Sequence, residues 1–458
     1  MAKTEVTFWQ GLRTIGGNII EICHGKDRVI FDFGLVYDPA GSLLEQNMHR
    51  KHKYVHDLLK LDMIPHIDGL YQERDIKELL KDNEQLITAE NNEGDLAVFI
   101  SHLHIDHMGA IRAISPDVPL YMSETSVDMY KALEAIGEEP KLHRKFNTLK
   151  HEETVKIGSI KVTPYRVDHD ILGALSLFIE TPDLKILYSG DLRMHGKNRE
   201  WNEKWLDTFR DKNVDILLME GTTFRPEDEE TEKTEALCES ELDFTKVVSN
   251  LIAEKTGIAL CNIYHRNIER IEQLVDVATS VNRKLVLEPE TAYLAEQFLP
   301  ENKKDFLIVD LPTDNWLKDL EEKYEIISFE TINEETRKYF LQNSFHHIVE
   351  LLDLRLHDAI YLHANGVPLG DFDPNYGKML AFLEHFNVPF YSVGVSGHAT
   401  PEDVLDIVEQ IKPTILIPWH SHYPELMKPL DKNQKVFLPE EKTTYIFQEN
   451  NLQEIKNN

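Results

Sequence analysis

The chain is 458 residues long, 41% hydrophobic and 28% charged, with a formal net charge of −31. That length predicts two domains rather than one core. The charge argues against broad nonspecific adhesion to nucleic acid or anionic membranes, and no apolar run reaches the roughly 18–20 residues of a membrane span.

Met1-Ala2-Lys3-Thr4-Glu5-Val6 holds no apolar signal-peptide core, so none is expected. Cys23, Cys238 and Cys261 are scattered and form neither a disulfide framework nor a C-x-x-C pair. A reducing cytoplasm with no membrane partner is the expectation.

Residues 6–9, 18–23 and 29–34 read as successive antiparallel strands, broken at Gly16-Gly17 and His24-Gly25-Lys26-Asp27. Asp32 sits in an apolar strand. A carboxylate is costly to bury unpaired, so Asp32 is expected to hydrogen-bond the loop described next. Residues 40–95 are polar and helix-prone, and read as an insertion near a cleft mouth. Within it, His49, His52 and His56 share one helical face, and His66 follows. A solvated helix, not a metal site, is the expectation there.

The apolar run 96–100 reads as a buried strand. At its end stands Ser101-His102-Leu103-His104-Ile105-Asp106-His107-Met108-Gly109. Imidazole and carboxylate are usual ligands of Zn²⁺ and similar ions. In an extended segment His102 and His104 point the same way, because side chains repeat every two residues. Asp106 and His107 come after a turn and can face a second ion.

A short helix is expected from 109, a strand over 119–122 and a helix over 123–137. Strands follow at 155–157, 160–167, 174–179, 185–188 and 214–219. Polar groups wait at three strand ends: Asp168-His169-Asp170, Ser189-Gly190-Asp191 and Glu220-Gly221-Thr222-Thr223. Groups at strand ends converge on one edge of a sheet. Residues 227–243 hold nine acids and one Lys and read as a solvated linker. Beyond it, strands at 257–262, 284–287, 359–363 and 389–393 alternate with helical stretches such as 265–279. That is the pattern of a parallel α/β unit. Ser396-Gly397-His398-Ala399 precedes a helix with Thr400 as N-cap, Pro401 at N1 and Asp403 at N3, stopped before Pro413. A buried strand over 414–418 then ends at Trp419-His420-Ser421-His422.

Spacing and strand-end position assign His102, His104 and His169 to one metal. Asp106, His107 and His420 go to the other, and Asp191 bridges. His420 is preferred to His422 because it comes first after the strand. Two such ions lower the pKa of water to about 7 and so supply a hydroxide nucleophile. His398, kept charged by Glu220, would protonate the leaving oxygen, with His363 a weaker candidate. The candidate catalytic residues are therefore Asp106, Glu220 and His398, with Asp32 supporting the ligands.

His102-Leu103-His104-Ile105-Asp106-His107, followed in order by His169, Asp191 and His420, resembles the metallo-β-lactamase superfamily. Glu220, Ser396-Gly397-His398-Ala399 and Ile417-Pro418-Trp419-His420 are similar to motifs A, B and C of its β-CASP branch, and ribonuclease J is the nearest likeness. The resemblance implies an α/β fold: an αββα metallo-β-lactamase sandwich with an inserted α/β β-CASP-like domain. The corresponding boundaries are 1–222 and 395–458 for the sandwich and 223–394 for the insertion. The C-terminal domain of ribonuclease J is expected to be absent.

The resemblance further implies two Zn²⁺, with Mn²⁺ an alternative, phosphodiester hydrolysis, and a lean towards RNA because His420 stands at motif C. The family's Gly-rich phosphate-binding stretch is replaced here by the loosely similar His363-Ala364-Asn365-Gly366-Val367-Pro368-Leu369-Gly370, in which His363, Asn365 and Gly366 are the expected substrate contacts. Arg193 joins these as an expected substrate contact, and Lys197, Arg199 and Arg266 are further candidates. RNA is the expected partner, and a homodimer stays open beside the monomer. Two alternatives remain: hydrolysis of a small phosphodiester or ester, and a non-catalytic RNA-binding subunit.

Overall fold

The computed structural model describes residues 2–44, 50, 52–81, 85–226, 237–313 and 315–455. His49 and residues 227–236 of the acidic run lie outside the described residues.

Two sheets form the main body. The first has eight strands in the order Asn451–Glu454, Thr443–Gln448, Thr4–Gln10, Ile19–His24, Asp27–Phe31, Leu96–Phe99, Leu120–Ser123, Phe146–Leu149. Its chain-terminal half is antiparallel, as the alternation at 6–9, 18–23 and 29–34 predicts. The pairing becomes parallel from Asp27–Phe31 onward. The second has seven strands in the order Lys435–Val436, Ile415–Trp419, Ile216–Glu220, Lys185–Tyr188, Leu175–Glu180, Ile160–Arg166, Val155–Ile157.

The period-two rule explains how these sheets stack. Val29, Phe31, Ala97 and Phe99 share a core with Val162, Leu177, Ile186, Leu218 and Ile417, so the two sheets meet face to face. Ile30, Val98 and Ile100 point the other way, onto Val55, Leu58 and Ile76 of the helices Tyr54–Lys60 and Glu73–Lys81. Behind the second sheet, Leu187, Leu217 and Leu416 pack on Trp205 and Phe209 of helix Arg199–Phe209 and on Val404 and Ile407 of helix Pro401–Ile411. The layering is helix, sheet, sheet, helix. The 40–95 stretch thus supplies part of an outer helical layer, and the Tyr54 hydroxyl donates to the Gly109 carbonyl (3.3 Å).

A third, seven-stranded sheet is wholly parallel. Its order is Ile326–Ile327, Leu307–Val309, Lys284–Leu287, Tyr339–Gln342, Ala259–Ile263, Ile360–Ala364, Phe390–Ser392. Ala259, Cys261 and Leu285 bury against helices Glu241–Ala253 and Ile268–Ser280 on one face. Leu260, Val286 and Tyr361 bury against helix Pro374–His385 on the other. Two-sided burial is why these strands read as unbroken apolar runs. After this body the chain returns: Ile415–Trp419 pairs with Ile216–Glu220, and Thr443–Gln448 with Thr4–Gln10. The fold is mixed α/β, a two-sheet sandwich with an inserted domain.

Candidate metal centre and hydrolytic site

The loop after Leu96–Phe99 starts extended and then turns. His104 is extended (φ −74°, ψ 149°) and serves as N-cap position to the short helix Ile105–Met108. The expected helix from 109 therefore begins four residues earlier, and residues 111–113 form only a 3-10 turn. This turn sets Asp106 and His107 beside Asp191 and His420, while His102 and His104 meet His169. Gly34 lets the neighbouring chain press on it: a Cβ there would lie 1.6 Å from the Asp106 carbonyl oxygen.

Three imidazole nitrogens meet at one point. Nδ1 of His104 stands 3.2 Å from Nε2 of His102 and 3.1 Å from Nε2 of His169. Four-coordinate zinc, with Zn–N bonds of about 2.0–2.1 Å, sets its ligand nitrogens about 3.3 Å apart. Burial lowers the pKa of all three rings, that of His169 to about 4, so they present lone pairs and not charges.

The second group is anionic. His420 Nε2 is 2.8 Å from Asp106 Oδ2, and His107 Nε2 is 3.0 Å from Asp191 Oδ2. Asp191 Oδ2 also lies 3.7 Å from Nε2 of both His102 and His420, which puts it between the two groups. This oxygen is buried and accepts no hydrogen bond of proper geometry. Burial works against charge on His107, yet Asp191, Asp106 and Asp32 pull its pKa well above the ordinary value. The same field is what a cation would meet. Neutral imidazoles, an orphaned carboxylate oxygen shared between two clusters, and a cation-seeking field all fit a pair of divalent ions.

The nitrogen of each ring that faces away from the cluster has its own partner. His107 Nδ1 donates to Asp32 Oδ2 (2.8 Å), and His169 Nδ1 donates to the Gly397 carbonyl (2.5 Å). His102 Nδ1 donates to the Ser101 hydroxyl (3.0 Å), and His420 Nδ1 to the Thr222 hydroxyl (2.6 Å). His104 Nε2 faces Asp170 at 3.5 Å. Asp32 is fully buried and also accepts from the Ser101 amide (2.7 Å), the Ser101 hydroxyl (2.8 Å) and the Tyr188 hydroxyl (2.6 Å). Asp32 (φ 55°) and His420 (φ 49°) both adopt the left-handed region, at a cost of order 1–3 kcal/mol each. Strain of that kind is held by the surrounding hydrogen bonds.

His398 stands beside this cluster. Its Nδ1 is 3.1 Å from Glu220 Oε2 and 3.8 Å from Asp191 Oδ2. Burial opposes its charge, but Glu220, then Asp191 and Asp170, push its pKa up to about 10. Among the described residues no hydrogen bond reaches its Nε2. A charged imidazole fixed at Nδ1 can deliver a proton from Nε2.

Three of the four expected substrate contacts, Arg193, His363 and Asn365, have side chains already engaged within the protein. Arg193 is fully buried, with Nε, Nη1 and Nη2 facing Asp168 (3.3 Å), Glu241 (2.7 Å) and Glu269 (3.2 Å). An isolated buried charge is too costly, and three carboxylates claim this one. His363 Nε2 donates to the carbonyls of Gly366 (2.8 Å) and Pro368 (3.0 Å), and burial lowers its pKa. The Asn365 amide donates to the Val395 carbonyl (2.5 Å), and a Cβ on Gly366 would lie 1.8 Å from the Asn262 side-chain oxygen. These three close a turn. Among the other bases, Arg266 pairs with Glu138 (3.2 Å) and Glu139 (3.0 Å), Arg199 with Glu203 (2.8 Å), and Lys197 with Glu272.

Sequence reasoning did not single out Ser101, Asp170, Tyr188 or Thr222 for these contacts. The one signal for Thr222 is the parallel register of Glu220 on Trp419, which sets the residues beyond each strand side by side.

A family model described as Beta-lactamase superfamily domain matches residues 82–283. The chain is 22% identical over 440 residues to a ribonuclease J of Mycoplasma genitalium, covering 92% of this chain and 68% of the relative. It is 21% identical over 441 residues to a ribonuclease J of Pyrococcus abyssi, covering 91% and 90%. A crystal structure of a protein of unknown function from Enterococcus faecalis V583 superposes with a TM-score of 0.77 and 28% identity, over 97% of this chain and 100% of that one.

Proposed function

Because the chain belongs to the metallo-β-lactamase superfamily and is ribonuclease J-like over most of its length, we propose that it is a dinuclear metal-dependent hydrolase of phosphodiester bonds, acting on cytoplasmic RNA. The observation that carries this reading is the Glu220–His398 pair set against Asp191.

Two divalent ions, Zn²⁺ or Mn²⁺, held by His102, His104, His169, Asp106, His107, His420 and the shared Asp191, would supply Lewis acidity and an acidified water at neutral pH. Asp106 would help hold an ion and would stand ready to accept a proton. Glu220 holds His398 charged and oriented, so that its Nε2–H meets the oxygen that leaves. Asp32, Ser101 and Thr222 keep the ligand rings from turning. In this reading the third-sheet body is a β-CASP insertion, with the chain divided at 1–222, 223–394 and 395–458, and it forms the far wall of the cleft.

The test is cleavage of 5′-labelled single-stranded RNA by zinc-loaded protein beside His104→Ala. Cleavage by the unaltered chain only is expected; equal or absent cleavage by both sinks the reading. One observation favours a second reading, a small phosphodiester as substrate: Arg193 and Arg266 are paired with carboxylates and offer no track for a long polyanion. A dinucleotide turned over with a higher kcat/KM than long RNA would support it.

A further inference from the structure

Two loops form one rim of the site. The segment after Asp27–Phe31 runs beside the 105–107 turn: the Leu35 amide donates to the Ile105 carbonyl (3.1 Å), and Tyr37 follows two residues later. From the third sheet, the loop after Ile360–Ala364 ends at Asp373, whose side chain caps helix Pro374–His385. Tyr37 and Phe372 meet edge to face across the gap, with centroids 6.1 Å apart and planes at 79°.

Phe372 is nevertheless 53% exposed, and Val367 and Leu369 in the same loop are 45% and 42% exposed. Apolar area left in water at a cleft mouth is free energy available to a ligand that covers it. The fixed charges here are negative. Asp371 and Asp373 flank Phe372. A phosphate would be repelled from this rim, whereas an uncharged planar group would not.

We infer that Phe372, backed by Tyr37, is the stacking platform for the nucleobase next to the scissile phosphodiester. The inference rests on the phosphodiesterase reading above and deepens it. Every base has a π-face, so such a platform binds single strands without reading their sequence. It replaces ionic contact with stacking in a chain whose net charge is −31. It also gives the 365–373 loop a role that its turn-closing residues His363, Asn365 and Gly366 do not supply.

The experiment measures KM of the zinc-loaded full chain on short 5′-labelled oligoribonucleotides, with a single abasic residue walked along the strand. One abasic position should raise KM about 5- to 150-fold, the usual worth of one stacked base. Phe372→Ala should raise KM on the intact strand by a similar factor and shrink the abasic penalty towards none, and Phe372→Trp should restore both. Leu352→Ala removes another exposed apolar side chain (58%) and should leave KM alone. Cleavage with no abasic penalty, or with the same KM for Phe372→Ala as for the unaltered chain, overturns the platform and leaves the phosphodiesterase reading standing. No cleavage of any strand by the unaltered chain overturns both.

Discussion

The Thr222 hydroxyl stands 2.6 Å from Nδ1 of His420 and 3.3 Å from the carbonyl oxygen of the same residue. A hydroxyl has one proton, and the carbonyl can only accept it. With that proton on the carbonyl the hydroxyl accepts from Nδ1–H, the tautomer that turns the Nε2 lone pair of His420 to the candidate ligand cluster. Thr222→Val keeps the shape and removes this hold. Loss of such a partner costs about 10–100-fold in metal affinity. Metal analysis after dialysis against a chelator should find one of two ions weakened, and Thr222→Ser should restore it. A valine variant that keeps both ions as tightly as the unaltered chain sinks the assignment.

His398 could also be grouped with Asp191, Glu220 and His420 as a ligand set. The two roles separate cleanly. As proton donor, His398→Ala should lower kcat about 10²–10⁴-fold while both ions stay bound. Loss of an ion with the side chain would instead make it a ligand.

Arg193 is predicted to matter for folding first. Its removal leaves the buried Asp168 and Glu241 and the half-buried Glu269 with one cation fewer. Breaking a buried ion pair costs about 3–5 kcal/mol. Urea unfolding of Arg193→Ala should show that loss. Unchanged stability with a raised KM for RNA would return Arg193 to the substrate.

Glu288 carries a pH signature. Burial pushes its carboxyl up to about 8, against the Ser344 amide that donates to it (2.6 Å). A folded pKa above the unfolded one means the folded chain holds its proton longer. The contribution is complete below the ordinary carboxyl range and is lost as pH rises towards about 8. Unfolding midpoints of the unaltered chain should therefore fall relative to Glu288→Gln between pH 5 and 8, by at most about 1.4 kcal/mol per pH unit. Parallel curves for the two would contradict the assignment.

The convergence of the candidate ligands was legible because they follow apolar strands. His102, His169, Asp191 and His420 lie just past the strands Leu96–Phe99, Ile160–Arg166, Lys185–Tyr188 and Ile415–Trp419. Strand ends gather on one edge whatever the details of packing, so local pattern suffices. Asp32 was legible for a related reason: a carboxylate in an apolar strand demands partners. The carboxylate partners of the bases were not legible, because a positive residue reads the same in sequence whether it faces a ligand or a distant carboxylate. Glu241 and Glu269, which claim Arg193, are 48 and 76 residues away from it.

By itself, then, the sequence pointed to two clusters of nitrogen- and oxygen-bearing side chains, a carboxylate–imidazole pair, and a sandwich interrupted by a parallel α/β body. Those features depend on residue type and on periods of two and 3.6, which are local. Only the tertiary structure decided which nitrogen of each histidine faces the cluster, which cations are already neutralised, and that Phe372 meets Tyr37 at the rim. Hydrogen-bond direction, charge pairing and exposure are properties of neighbours in space, and the chain brings those neighbours from hundreds of residues apart.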